Sequence, residues 1–130
     1  MREREIADVA FRLIERIDRQ DLDGLLRLMT EDHSLLVFAD HEMSGREEQC
    51  EAWKGYFDQC PEYMIHIQEM HVRGELAIIV GSTTGSHLGL PRLEEFRDPL
   101  IWTARVRGGA IPEWALHRLT DDNRERFGIS

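Results

Sequence analysis

An α+β domain is predicted by three features of the chain. Apolar residues of the first half recur at helical spacing, those of the second half alternate, and glycine-centred turns join the alternating stretches. That order puts helices on one face of an antiparallel sheet rather than between parallel strands. With 130 residues the chain can bury one core but not two, so a single domain over residues 1–130 is expected. No internal repeat, linker or low-complexity run divides it.

Residues 3–19 read as the first helix, because Ile6, Val9, Ala10, Leu13, Ile14 and Ile17 fall three and four apart while Arg and Glu occupy the other side. Asp21 is an N-cap for a short second helix carrying Leu22, Leu25, Leu26, Leu28 and Met29. Leu35–Ala39 is a short continuous apolar run and is read as a strand. Ser44-Gly45-Arg46-Glu47 has capping-box form, in which Ser44 and Glu47 would satisfy free amides reciprocally. The helix it opens carries the stripe Cys50, Trp53, Tyr56, Phe57 and Cys60 and stops at Pro61. Tyr63–Arg73 and Glu75–Thr84 form a hairpin about Gly74. A polar loop covers Gly85–Asp98, and Leu100–Arg107 and Ile111–Leu119 pair through Gly108-Gly109.

Composition narrows the function classes. Hydrophobic residues make up 42% and charged residues 32%, a folded rather than disordered balance. The net charge of -9 repels phosphate backbones and anionic lipid, so neither nucleic acid nor membrane is an expected partner. Arg2, Arg4, Arg16 and Arg19 are interrupted by acids and read as a solvated helix face. No stretch approaches the ~18 apolar residues of a membrane span, and a cytoplasmic location is expected. Cys50 and Cys60 lie ten residues apart in one helix, a separation of ~15 Å. Disulfide formation needs Cα atoms within ~7 Å, so these two cannot pair. No metal-ligand spacing, nucleophile elbow or phosphate loop is present, and no cofactor is expected.

Asp21-Leu22-Asp23-Gly24 followed by Met29-Thr30-Glu31-Asp32 resembles the signature of the nuclear transport factor 2-like (cystatin-like) superfamily. Within it, Thr84-Gly85-Ser86-His87-Leu88-Gly89 is similar to the Thr-Gly-x-His-x-Gly of the SnoaL-like branch. Arg105-Val106-Arg107 leading to Ile111 and Trp114 resembles that branch's final hairpin, and Phe127-Gly128-Ile129 its closing Leu-Gly-Val. The resemblance implies three helices of the N-terminal half packed on a strongly curved, mainly antiparallel sheet, forming a cone with an internal pocket. It also implies what is missing. Where the ketosteroid isomerase branch keeps its catalytic groups, this chain has Leu13, Val37 and Trp102, so that mechanism is not expected. The last strand ends Leu116-His117-Arg118-Leu119, without the acid expected of a SnoaL-like cyclase.

Alternation and the resemblance together nominate the site. Trp114, Leu116 and Arg118 share one face of the last strand, joined by Trp102 from the strand before. The face carrying Met64, His66, Gln68 and Met70 is assigned to the pocket; a β-bulge would reverse it. His66 is a candidate general acid or base, against a structural strand histidine as the alternative. His87, in the loop at the cone's mouth, matches the SnoaL-like histidine, and Asp40 with His41 or His66 is the candidate acid–imidazole pair. Trp102, Trp114, Tyr56 and Gln68 would contact a ligand, and Arg118 would hold an anion unless it pairs with an acid across the sheet.

Three functions compete on this reading. One is a cofactor-independent isomerase, cyclase or lyase acting on a small hydrophobic or aromatic molecule. The second is a binding module for such a molecule, and the third an interaction domain with a plugged cone. A homodimer is expected in all three, through an outer sheet face carrying Ile65, Ile67, Ile79 and Ile101.

Overall fold

The computed structural model describes residues 2–129. Five helices pack on one six-stranded, curled and unclosed sheet. In chain order the elements are α1 (Arg2–Asp18), α2 (Leu22–Leu28), β1 (Met29–Val37), β2 (His41–Ser44), α3 (Arg46–Gln59), β3 (Met64–Arg73), β4 (Leu76–Thr84), α4 (Arg92–Phe96), β5 (Leu100–Arg107), β6 (Ala110–Arg118) and α5 (Asp121–Arg126). The strand order is β2-β1-β6-β5-β4-β3, antiparallel except where β1 runs parallel to β6. None of the described helices is long and apolar enough to cross a membrane.

Local chemistry accounts for most of these boundaries. The apolar stripe of α1 is buried throughout, from Ile6 to Ile17. Asp21 caps α2 by accepting the Gly24 amide at 3.0 Å. Gly108 and Gly109 both take left-handed backbone, as a two-residue hairpin turn requires. Both cysteines are free, as their helical spacing dictates.

Other boundaries depart from expectation. The first strand begins earlier, at Met29, and ends at Val37, because Phe38 (φ 54°) and Ala39 (φ 63°) turn the chain back into β2, a strand the sequence reading lacks. Ser44 is drawn into that ladder opposite Ser34, so the capping box does not form. Gly45 takes the N-cap place instead, with no side-chain cap. The polar loop holds α4, and a further helix, α5, follows the last strand.

The pocket face assigned to β3 is reversed. Tyr63 and Ile65 are buried in the main core, with Ile67 packed against it, while Met64 and Gln68 are exposed. A bulge between Ile67 and Glu69 then turns Met70 and Val72 inward. The isoleucines of the expected dimer face divide accordingly. Ile79 pairs directly with Trp102, so it joins Ile65 and Ile67 on the core side. Ile101 lies on the other face with Ile78 and Val80, and there Phe127 and Ile129 cover it. The C-terminal segment thus packs on part of this face.

Candidate functional site

The inner side of the curled sheet and the facing side of α3 enclose a cavity of about 300 Å³. β5 and β6 supply one wall with Trp102 and Trp114, whose rings lie nearly parallel, 16° apart and 6.4 Å between centroids. They sit on adjacent strands in diagonal register: Trp102 opposes Leu116 and Trp114 opposes Ala104. From α3 come Ala52, Trp53 and Tyr56, and from the residue just before β3 Tyr63. Leu35, Val37 and Met43 close the side towards β1 and β2. Helical spacing explains the α3 contribution, since Trp53, Tyr56 and Phe57 stand three and four residues apart on one face.

The rim holds a polar pair. The Tyr56 hydroxyl lies 2.9 Å from Nδ1 of His87 and accepts the His87 backbone amide at 3.2 Å. That amide fills one phenol lone pair; with the ring proton on Nε2, the O–H points at Nδ1. Burial is the main cause that pushes the Tyr56 phenol up to about 12, partly offset by the bond from His87. Tyr63 is pushed above its ordinary value, again chiefly by burial. Both phenols are therefore neutral at physiological pH and offer O–H donors.

Of the residues nominated from sequence, Trp102, Trp114, Tyr56 and His87 line this cavity. Four others do not. His66 lies on the far face of β3, bonded through Nε2 to Thr84 Oγ1 at 2.9 Å, its ring edge against Phe96. There it borders a separate, largely apolar hollow of about 320 Å³ with Arg92 and Leu93. Gln68 is exposed at the bulge. Asp40 is exposed in the β1–β2 turn, at the opposite end of the strand order from His66, and the acid–imidazole pair does not form. Arg118, at the end of β6, leaves the cavity and lays its guanidinium 4.1 Å from the centroid of the Phe38 ring. Stacking on an aromatic face takes the place both of the anion-holding role nominated from sequence and of its alternative, a pair with an acid across the sheet.

Two groups escaped the sequence reading. Glu95 on α4 is only 3% exposed. One of its oxygens accepts from Thr83 Oγ1, while Oε1 is buried without a partner. Pro91, with Leu93 and Phe96 three apart, was the available signal for that helix. Trp53 also stands at the wall with a buried, unpartnered indole Nε1.

The family model described as SnoaL-like domain matches residues 10–114. A cystatin-fold protein of uncharacterised function from Novosphingobium aromaticivorans is similar in structure, with TM-score 0.75 at 18% identity, over 88% of this chain and 97% of that one. A protein assigned as a SnoaL-like polyketide cyclase from Jannaschia sp. CCS1 gives TM-score 0.71 at 18% identity, over 98% and 93% of the two chains. A protein with a ketosteroid isomerase-like fold from Catenulispora acidiphila, solved in complex with trimethylamine, gives 0.68 at 20%, over 85% of each. At such identities the likeness is one of fold. No curated protein matches.

Proposed function

Because a match over residues 10–114 places the chain in the SnoaL-like domain family, we propose that it binds a small hydrophobic molecule, flat enough to lie on the Trp102–Trp114 wall, inside its curled sheet. One observation supports this most: the cavity lining is aromatic and aliphatic except for the Tyr56–His87 pair at its rim. Apolar walls with few convergent polar groups are the ordinary make-up of a small-molecule site. The walls favour an aromatic ligand, and the rim pair selects one with an oxygen to accept or share a proton. The 2.9 Å contact in that pair favours a second reading, proton transfer without a cofactor. With the ring proton on Nε2, the phenol oxygen would take a proton from a ligand O–H while passing its own to Nδ1, leaving an imidazolium. Steroid isomerisation by an aspartate base is not part of the proposal, since Leu13 lies in the core and Val37 and Trp102 form the cavity wall.

Calorimetric titration with 2-naphthol tests the binding reading. A dissociation constant at or below about 1 mM is expected, corresponding to roughly -4 kcal/mol. Tyr56→Phe should weaken 2-naphthol by about fivefold, the net value of one hydrogen bond, and leave naphthalene binding unchanged. No heat from either compound in the wild-type protein would end this reading.

A further inference from the structure

Near the cavity lies a carboxylate that no cation among the described residues neutralises. Glu95 forms no ion pair among the described residues, and its Oε1 is buried and unpartnered. Burying such a charge is costly unless something positive approaches it. Its position follows from the hydrogen bond that holds it: Thr83 pairs with Ile65 on β3, a core residue two positions along from Tyr63 of the cavity wall. The carboxylate therefore stands on the tyrosine side of the cavity.

The rings complete the picture. Trp102 and Trp114 form a nearly planar wall, while Trp53 stands at 82° to Tyr56 and Tyr56 at 89° to Tyr63. Aromatic residues thus border the hollow from three directions: β5 and β6, α3, and the turn before β3. Aromatic faces carry negative quadrupole density, and several around one hollow attract an onium group. No Lys or Arg is in the lining to compete, because Arg118 is turned away onto Phe38. The net charge of -9 draws cations to the molecule as a whole.

We propose that the ligand is cationic: the cavity is an aromatic box for an alkylammonium group, with Glu95 as its counter-charge behind the tyrosines. This rests on the small-molecule reading above and adds the charge of the ligand. A quaternary ammonium has no N–H donor, so the Tyr56–His87 pair would serve a second, oxygen-bearing end of the same molecule.

The test compares two probes of one shape, choline and its neutral carbon isostere 3,3-dimethylbutan-1-ol, by calorimetric titration of the full chain. Choline should bind at least about tenfold more tightly, as desolvated cation–π contacts and a nearby carboxylate dictate. Glu95→Gln, whose amide oxygen still accepts from Thr83, should reduce that preference several-fold while leaving the alcohol's affinity unchanged. Equal binding of the two probes by the wild-type protein overturns the proposal without any variant. Binding of 2-naphthol but of neither probe also overturns it and leaves the small-molecule reading standing. Silence from all three compounds removes both.

Discussion

Replacing Gly85 by alanine should cost about 3 kcal/mol of folding stability and detach His87 from Tyr56. Gly85 has φ +70°, a left-handed conformation that costs an L-residue roughly 1–2 kcal/mol. Space is the larger difficulty. A Cβ there would stand 2.4 Å from the Glu62 carbonyl oxygen and 2.6 Å from its carbon, both backbone atoms that cannot rotate away. The chain would have to open between the end of β4 and the turn before β3, and the loop that carries His87 would move with it. Gly89 is the control in the same loop: its φ is +66°, but nothing lies within 4 Å of a Cβ. Gly89→Ala should therefore cost only the conformational part, about 1 kcal/mol. Urea midpoints at a common m-value separate the two variants. The binding consequence is independent of the stability one. At temperatures where Gly85→Ala is still folded, its 2-naphthol affinity should fall at least as far as that of Tyr56→Phe. Equal midpoints for the two glycine variants would show that the Glu62 contact does not constrain the loop.

The sequence carries the fold's long elements and loses its short ones, for a physical reason. α1 announces itself because six buried side chains repeat a helical period, and the β5–β6 hairpin because only glycines take two successive left-handed residues easily. β2, α4 and α5 are four to six residues long and mostly polar, too short for either period to register. Strand faces were legible on β5 and β6, where alternation correctly put Trp102 and Trp114 together. On β3 a single inserted residue defeats the same rule. His66 reads as an inward imidazole from sequence because nothing within β3 itself distinguishes its two faces. Its pairing with Ser82, and that of Ile65 with Thr83, could only be read from coordinates. Arg118 shows a different failure: it shares a face with Trp114 but sits past the cavity's end, where the Phe38 ring takes its charge. Glu95 was invisible because a Glu in a polar stretch reads as solvated. Its burial depends on where α4 docks against β4, a tertiary fact with no local signature.

Acidification below pH 6.5 should destabilise the fold more steeply than its exposed groups allow, because two histidines are held neutral inside it. His33 on β1 is fully buried; Nδ1 is 2.6 Å from the Ile111 carbonyl, and Nε2 has no partner. Burial lowers its pKa, against the opposing pull of that carbonyl, Glu113 and Asp32. His117 on β6 shares a hydrogen bond with Thr103 Oγ1 and packs on Phe127. Burial first, and Arg126 second, bring it down to about 4. The unfolded chain takes up these protons near pH 6.5 and the folded chain only at lower pH, so stability is complete above 6.5 and falls as pH drops. Each histidine contributes a slope of up to about 1.4 kcal/mol per pH unit, and for His117 the slope ends near pH 4, where both states are protonated. Asp18 acts in the opposite sense. It accepts the Ile65 amide at 2.8 Å, but burial raises its pKa above 3.8, so its protonation favours the fold and relieves part of the loss at the acidic end. The interval from pH 6.5 to 5 lies between the ordinary histidine value and that of His117 in the fold. Urea unfolding across that interval should give a positive dependence of stability on pH, and His117→Gln, which keeps a hydrogen-bonding group for Thr103 without titrating, should cut the slope by roughly half. An unchanged slope in that variant would mean that His117 is protonated with equal ease in both states, and that its contact with Phe127 leaves the ring open to water.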